Sequence, residues 1–447
     1  MSYIYYPTAP PARAPRFPWA AFLVLSVAFF LTVHWPLTAQ RTLDDYNRSQ
    51  DDIVAEGAGS AVRQVVLVTL CGLAILSLVS RPSDRRLRID GVPGWLVLGY
   101  AAWALMSPIW AQDLDLTSKR VLGFGILCVV AVAVVRRFSL HQILMWTFFI
   151  TVLFLLVAVV LELVSGAFRP FVPGYRFSGT QHPNGEGVEC GLLFLSAVAL
   201  AKIEKLRRRQ FGAVALVAFM FLILTASRTS LSATLLAVSV FLVIGSSKRT
   251  RIAVLPALGI GVCLLVLLVV TGLSKGLESA ALLGRNDDTS ESVESFSGRT
   301  AIWRDVGPYI SDHPIVGYGY GGFWTPARIS AISDEEKWGV PDSHSTYVDC
   351  LLALGFVGLV LYLLSLFAAL WRALAFYGRT SDSHYAFLAA LLVFCIVDGF
   401  LESGLGQATL LTLFALIAVI RLAYVTPEEA RPIDADSRHR HEAFFPA

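Results

Sequence analysis

Charged residues are scarce in this chain: Asp, Glu, Lys and Arg make up 15% of its 447 residues, whereas soluble domains carry about 25%. Hydrophobic residues reach 55%. The 36 basic and 33 acidic residues leave a formal charge of only +3, which gives no basic footprint for nucleic acid. The apolar residues lie in blocks of roughly 16–25, the length that a helix needs to cross a bilayer. The composition therefore predicts an all-α integral membrane protein with no nucleic-acid partner.

The sequence also lacks the patterns of several metal and cofactor sites. Its six cysteines lie in or beside different apolar blocks with no close-spaced pair, whereas disulfide frameworks and zinc knuckles need converging cysteines. No Asp-rich pair suggests a metal-bound sugar nucleotide, and no Ser–His–Asp set can be assembled from the sequence. The glycine-rich stretch 313–321 lacks the strand-to-helix context of a nucleotide loop. We predict no cofactor and no bound metal.

Block length and hydropathy predict about twelve membrane spans. These are Phe17–Leu37, Val62–Ser80, Gly94–Trp110, Val121–Val135, Gln142–Val164, Gly187–Ala201, Phe211–Ala226, Ser230–Gly245, Ile252–Leu273, His344–Trp371, Tyr385–Phe400 and Ala408–Tyr424. The predicted organisation is a tail at 1–16, spans 1–9 at 17–273, a large outer loop at 274–343, spans 10–12 at 344–424 and a second tail at 425–447.

The basic residues predict the orientation of the spans. Most of the 36 Lys and Arg residues fall in alternate loops, such as the clusters at 81–88, 202–209 and 248–251. Because cytoplasmic loops are enriched in Lys and Arg, we predict that both termini are cytoplasmic. The proline-rich start and the charged end are typical of disordered tails.

The outer loop at 274–343 is too long to lack structure of its own. We predict a helix over Arg299–Asp312, opened by a cap at Ser297 and closed before Pro314. No internal repeat is visible, which weakens the interpretation as an inverted-repeat transporter.

Two arginines lie in segments that the predicted topology places at the outer face: Arg228 in a turn of a few residues and Arg176 in the longer segment Ser165–Glu186. Arg228 sits between two apolar blocks with hydroxyl residues on both sides. An arginine at this depth is expensive unless it has an anionic partner; the alternative is a snorkelling side chain that fixes helix ends. Arg176 precedes a Gly-, Pro- and Asn-containing stretch whose backbone N–H groups can face an anion; the alternative is an arginine paired with a surface carboxylate. In the same stretch, His182 precedes a proline, which favours a structural role over a catalytic one, and Asn184 is a supporting candidate.

Arg299 and His344 lie at the two ends of the stretch of the outer loop that we predict to be structured. Arg299 at a helix start combines two features that attract a diphosphate, although a solvated helix start is the simpler interpretation. His344 opens the tenth span, where nearby cations and the helix N-terminus would lower the pKa of its imidazole and suit it to act as a general base. The alternative is an interfacial histidine that bonds a backbone carbonyl.

Four further residues complete the set of candidates. Asp398 and Glu402 flank the outer end of the eleventh span and are expected to pair with one of the arginines. His313 and Tyr318 belong to the glycine-rich turn and are predicted to play supporting roles.

Taken together, these segments resemble the O-antigen ligase and Wzy-type polysaccharide polymerase superfamily. The strings that carry the resemblance are Arg176-Phe177-Ser178-Gly179-Thr180-Gln181-His182-Pro183-Asn184, Ser227-Arg228-Thr229, Ser297-Gly298-Arg299-Thr300-Ala301-Ile302-Trp303, Ser311-Asp312-His313-Pro314-Ile315-Val316-Gly317-Tyr318-Gly319, and His344-Ser345-Thr346-Tyr347 through Gly355-Phe356-Val357-Gly358. Each string is short, but their order, spacing and membrane placement are jointly specific.

The resemblance implies a metal-independent GT-C-type membrane glycosyltransferase of the bacterial inner membrane with a periplasmic active site. Such an enzyme transfers a glycan from an undecaprenyl-diphosphate carrier to an acceptor sugar hydroxyl. By carry-over, Arg228 and Arg299, assisted by Arg176, would bind the lipid diphosphate, and His344 would take the proton from the acceptor. A flippase and a chain-length regulator would be its partners, besides the acceptor glycan and membrane lipid.

The acceptor distinguishes the alternatives within the superfamily. The string before the sixth span looks more like exopolysaccharide polymerases of the ExoQ type, which favours polymerisation of repeat units. This chain has His344-Ser345 where many members have His-Asn, so an O-antigen ligase that uses lipid A core stays an alternative. A polar-solute transporter or flippase is less favoured, because ionisable residues such as Glu162, Glu189 and Asp398 lie near the ends of the spans.

Overall fold

The computed structural model describes residues 19–34, 61–80, 85–246, 249–250, 253, 299–336, 339–404 and 408–427. Within these ranges the chain is helical, with no strand. The helices are α1 (Trp19–His34), α2 (Ala61–Ser80), α3 (Gly91–Met106), α4 (Leu114–Arg137), α5 (Leu140–Ser165), α6 (Pro183–Ile203), α7 (Arg208–Leu224), α8 (Arg228–Ile244), α9 (Arg299–Asp312), α10 (Pro326–Glu336), α11 (Thr346–Thr380), α12 (Ser383–Asp398) and α13 (Leu410–Tyr424).

Five helices are long and apolar enough to cross a membrane: Ala61–Ser80, Gly91–Ile109 with its final 3₁₀ turn, Leu114–Arg137, Leu140–Ser165 and Thr346–Thr380. Four shorter apolar helices accompany them, at Trp19–Val33, Arg228–Ile244, Ser383–Asp398 and Leu410–Tyr424. The all-helical, membrane-type architecture is thereby confirmed. Eleven of the twelve predicted spans coincide with a helix. Apart from residue 253, the ninth span, Ile252–Leu273, lies outside the described residues, and so do the first tail, residues 428–447 of the second tail and Ser297. The count of twelve crossings, their orientation and the GT-C topology stay predictions.

Local sequence signals fix many of the helix ends. Ser139 and Gln142 form a reciprocal capping box at the start of α5, and Asp113 caps α4 by accepting the Leu116 N–H. The cap moves the start of α4 seven residues before the predicted span at Val121, because the polar segment 114–120 continues the same helix. At the other end of α5, Gly166 takes the left-handed conformation that ends helices.

The helices pack around one large apolar core. α6 lies centrally and contacts α5, α7, α8 and α12, while α11 packs against α3, α12 and α13. Small residues permit the closest approaches: a Cβ on Gly191 of α6 would lie 2.4 Å from Thr234 Oγ1 of α8. Close packing of this kind is typical of helix pairs in lipid, where small residues let backbones meet.

α11 is broken at Gly355, whose φ of +64° and ψ of −166° are not helical. The glycine-rich turn after α9 docks on this break. Tyr318 N–H donates to Leu352 O at 2.8 Å, and Phe356 N–H donates to Pro314 O at 2.8 Å. A Cβ on Gly355 would lie 2.2 Å from Ile315 O. The turn thus supplies hydrogen-bond partners for backbone groups that the interrupted helix leaves open.

Candidate functional site

A chain of hydrogen bonds joins four of the candidate residues. Arg176 Nη2 donates to Asn184 Oδ1 at 2.8 Å, and Asn184 Nδ2 donates to Glu402 Oε1 at 2.7 Å. Arg299 Nη2 donates to the same oxygen at 2.8 Å. We call Arg176, Asn184, Glu402 and Arg299 the polar network. It brings together side chains that lie as far as 218 residues apart in sequence.

The first turn of α6 positions Asn184. Pro183 occupies the first helical turn, and His182 is the N-cap residue, with Nδ1 accepting the Asn184 N–H at 3.2 Å. Proline is favoured at a helix start because its missing N–H needs no partner there. His182 itself is exposed. The structure therefore places His182 as the cap of the helix that carries Asn184.

A buried carboxylate holds the turn that carries Arg176. Glu162 Oε1 accepts the backbone N–H groups of Ser178 and Gly179, each at 2.9 Å, and Tyr175 donates its hydroxyl to Glu162 Oε2. On the other side, Arg176 Nε donates to Thr225 O at 3.0 Å. These bonds hold the residues on both sides of Arg176 and the Nε of its guanidinium, so the side chain is oriented before any ligand binds.

Arg228 lies in the first turn of α8, beside the polar network. Ser227 caps α8, and Ser230 Oγ donates to Asn184 O at 3.3 Å. The turn before the helix is tight: Ala226 has a φ of +49°, which non-glycine residues seldom adopt. Arg228 is half-buried. It lies three residues after Thr225, whose carbonyl accepts the hydrogen bond from Arg176 Nε. The structure thus places the turns of Arg176 and Arg228 side by side.

Glu402 lies in the turn after α12, which is tied to the start of α11. Thr346 N–H donates to Gly399 O at 2.9 Å, and Thr346 Oγ1 donates to Glu402 O at 3.0 Å. Burial raises the pKa of Glu402 above its ordinary value, although Arg299 and His344 oppose this shift. The expected pairing of a carboxylate at this end of α12 with an arginine is therefore found, between Glu402 and Arg299.

His344 lies in a left-handed turn directly before α11, with a φ of +51°. Asp342 Oδ1 accepts the His344 backbone N–H at 2.9 Å and lies 3.6 Å from His344 Nδ1. The indole of Trp303 on α9 donates to the neighbouring Ser343 O at 2.9 Å. Asx turns of this kind stabilise the left-handed conformation, and strained backbone is concentrated at functional sites.

The environment of His344 lowers the pKa of its imidazole. Burial is the main cause; Arg299 acts in the same direction, while Glu402 and Asp349 act against it. The direction is the one that the sequence predicts, but burial exceeds the effect of the cations. The imidazole therefore stays neutral further into the acidic range than an ordinary histidine, and a neutral imidazole is the form that accepts a proton.

The structure places His313 and Tyr318 in a different set of contacts. His313 Nε2 lies 2.9 Å from Gln112 Nε2, and its ring packs on Tyr318 at 4.5 Å between centroids. The Arg328 guanidinium also lies over the Tyr318 ring, 4.5 Å from its centroid. These contacts hold the glycine-rich turn and α10 together, so both residues support the fold of the loop.

An apolar cavity of about 530 Å³ opens beside the polar network. Its walls come mainly from α3, α4, α6, α11 and α13, with Tyr100, Phe124 and Tyr362 among the aromatic side chains. Asn184 and Glu402 line one part of the cavity. Arg88, three residues before α3, and Tyr424, the last residue of α13, line another part. The volume lies within the range of about 300–1,000 Å³ that is common for ligand pockets.

Two acidic residues near His344 were missed as site residues. Asp342 forms the turn described above, and Asp349 is a buried carboxylate in the first turn of α11. The spacing of Asp342 two residues before His344 is an Asx-turn pattern and could have identified it. No local signal marks Asp349, because two of its three partners, Trp324 and Ser403, lie in other segments of the chain. The described residues contain no group of three or more His, Cys, Asp or Glu side chains that could hold a metal ion.

No curated protein matches this chain in sequence. A family model described as O-antigen ligase matches residues 213–363, a segment that includes Arg228, Arg299 and His344 and leaves Arg176, Asn184 and Glu402 outside. With the apolar helices, the match supports glycan transfer of the ligase or polymerase type by a multi-pass membrane protein. For residues 213–363 the family match confirms the resemblance to the O-antigen ligase and Wzy-type polymerase superfamily.

Proposed function

We propose that this protein transfers a glycan from an undecaprenyl-diphosphate carrier to an acceptor sugar hydroxyl at the periplasmic face of the inner membrane, and that it polymerises repeat units. The observation that carries the proposal is the polar network at one end of the apolar cavity. A polyprenyl diphosphate has the same two-part character, an anionic head on a long apolar chain. The cavity is sized for part of that chain, and the remainder would extend into the bilayer.

The arginines provide the charge that the leaving group needs. Arg176, Arg228 and Arg299 are held by neighbouring turns, and guanidinium groups match phosphate oxygens in geometry and charge. When the bond between the anomeric carbon and the diphosphate breaks, negative charge grows on the leaving oxygen. Fixed cations in a partly buried site stabilise that charge without reorganising. In this proposal the diphosphate takes the place that Glu402 Oε1 has beside Arg299.

His344 supplies the base for the acceptor. Its neutral imidazole takes the proton of the acceptor hydroxyl while the hydroxyl oxygen forms the new bond to the anomeric carbon. Asp342, which contacts both the backbone N–H and Nδ1 of His344, orients the ring so that Nε2 is the accepting atom. The products are the extended glycan, the free lipid diphosphate and a proton on His344, which passes to the departing diphosphate or to water before the next turnover. The proposed step uses no metal or other cofactor.

The ligase alternative has its own support, since the matched family model is described as O-antigen ligase. The two activities share the donor and the site and differ only in the acceptor. A gene deletion separates them: loss of long polysaccharide with single lipid-linked repeats remaining indicates a polymerase. Long polymer that stays on its carrier but is absent from lipid A indicates a ligase.

The proposal is tested with the purified full chain in lipid nanodiscs, using lipid-linked repeat units extracted from the deletion strain as the donor. We expect wild-type protein to elongate or transfer the glycan and His344→Ala to fail at equal expression. Transfer by His344→Ala at the wild-type rate would contradict the proposed role of the imidazole. Uptake of a polar solute into sealed vesicles without transfer would favour a transporter instead.

A further inference from the structure

Asp349 is a buried carboxylate that the proposed chemistry does not use directly. It is 5% exposed and lies five residues after His344. Its Oδ1 accepts the Trp324 indole N–H at 2.9 Å and the Ser343 backbone N–H at 3.2 Å. The Ser403 hydroxyl donates to its Oδ2. One side chain thus joins α11 to three separate segments.

Two of these partners are direct neighbours of site residues. Ser343 precedes His344, and Ser403 follows Glu402. The Asp349 side chain therefore connects the turn of the proposed base with the turn that contacts Arg299. Burial in a protein interior strengthens such hydrogen bonds, and a buried carboxylate with three donors is held in one orientation.

We infer that Asp349 is a positioning residue that fixes the His344 turn against the Glu402 turn and so sets the separation between the base and the arginine-bound diphosphate. The inference rests on the proposed function. A capping role for α11 does not explain these bonds, because none of the three donors belongs to a residue of α11. The helix start is held independently by Thr346, which bonds Gly399 O and Glu402 O. Variants at Asp349 should therefore still fold.

Two substitutions separate the hydrogen bonds of Asp349 from its charge. Asp349→Asn keeps an oxygen for Trp324 and Ser343, and its amide can donate to Ser403 Oγ. Asp349→Ala removes all three bonds and leaves two buried N–H donors without their acceptor. Loss of such an orienting contact typically lowers activity by about 10–100-fold.

The test compares these variants with wild type in the nanodisc transfer assay. We expect Asp349→Ala to lower kcat by about 10–100-fold with little change in the donor KM, and Asp349→Asn to stay within about threefold of wild type. Both substitutions remove the Asp349 charge, which raises the pKa of His344, so the acidic limb of the kcat profile is compared between the two variants. A loosened turn also exposes His344 to water, and the limb should therefore lie at higher pH in Asp349→Ala than in Asp349→Asn. A purely structural role would lower the active fraction and leave the limb at the same pH in both variants.

A matched control is Asp382→Ala, which removes a carboxylate that accepts the His384 N–H at the opposite end of α12 and should leave kcat unchanged. Ser403→Ala breaks only the bond to the Glu402 turn and should give an intermediate loss of kcat; it decides the question if Asp349→Ala does not fold. Wild-type kcat and pH profile in Asp349→Ala, or an Asn variant as impaired as the Ala variant, would overturn the inference. Absence of transfer by wild type would instead contradict the proposed function, since His344→Ala serves as the reference for lost chemistry.

Discussion

Arg299 Nη2 lies 2.8 Å from Glu402 Oε1, in an ion pair whose side chains are only 12% and 16% exposed. The same oxygen also accepts a hydrogen bond from Asn184. The pair holds a cation beside the apolar cavity, in contact with a carboxylate that an anionic ligand could replace. Because an anionic ligand can replace the carboxylate, the arrangement is suited to a site that binds and releases a diphosphate.

Replacing Arg299 by Gln removes the proposed cation for the leaving group. We expect the kcat/KM of glycan transfer to fall by about 10²–10³, the usual effect of losing one preorganised electrostatic contact. The measurement is the rate of transfer in nanodiscs as a function of donor concentration. Arg304→Gln is the matched control, since Arg304 lies on the same helix but is exposed. Equal losses in both variants would show that charge on α9, and not the ion pair, matters.

The pH profile of transfer should report on His344. Its pKa is lowered by burial, and the base works in its neutral form. Activity should therefore persist below the pH at which an ordinary histidine becomes protonated, and fall only as the pH drops through the lowered value. His344→Ala should reduce kcat by about 10²–10⁴. A profile whose acidic limb is identical in wild type and variant would exclude His344 as the titrating base.

His182 and Asn184 should respond differently to substitution although they are two residues apart. His182→Ser keeps a side-chain acceptor at the N-cap and should change transfer by no more than about twofold. Asn184→Ala removes the bridge between Arg176 and Glu402 and should lower kcat/KM for the donor by about 10–100-fold. Transfer rates of the two purified variants decide this. A larger loss in His182→Ser than in Asn184→Ala would assign His182 to the chemistry.

Two glycines of α11 offer a contrast in stability. Gly355→Ala places a Cβ 2.2 Å from Ile315 O at a φ of +64°, so it should cost at least about 1–3 kcal/mol and lower the Tm. A Cβ on Gly378 meets no atom within 4 Å, and Gly378→Ala should be neutral or slightly stabilising because alanine favours helix. Thermal unfolding of both variants in detergent tests this. An unchanged Tm in Gly355→Ala would mean that the glycine-rich turn does not dock on the break.

Transfer should continue in the presence of a chelator, because the proposed mechanism assigns the charge of the diphosphate to arginines. The assay is run with and without excess EDTA, followed by Mg²⁺ or Mn²⁺ addition. Loss of activity on chelation and its recovery with a divalent ion would contradict the replacement of a metal by guanidinium groups.

Sequence reasoning succeeded where a local signal was strong. The end of α9 at Asp312 agrees with the prediction, since Pro314 follows two residues later and cannot continue the helix. The predicted cap at Ser297 lies outside the described residues. The interruption at Gly355 was not predicted, because the apolar run of the tenth span continues through it. Only the carbonyls of the docked turn reveal that the backbone leaves the helix there.

The polar network shows the limit of local signals at the site. An arginine partner for Glu402 was expected from the placement of both at one face. The bridge through Asn184 depends on how α6 and α12 pack over a separation of 218 residues, and no spacing in the sequence encodes it. The same holds for Asp349, whose three donors lie up to 54 residues away.

The most direct test of the account is a cryo-electron microscopy map of the full chain in nanodiscs with undecaprenyl diphosphate. The account predicts density for the two phosphates in contact with Arg299 and Arg176, near Arg228, with Glu402 displaced from Arg299 and the lipid chain in the cavity beside Tyr100 and Phe124. Phosphate density elsewhere, with the Arg299–Glu402 pair intact and the cavity filled only by ordinary lipid, would contradict it.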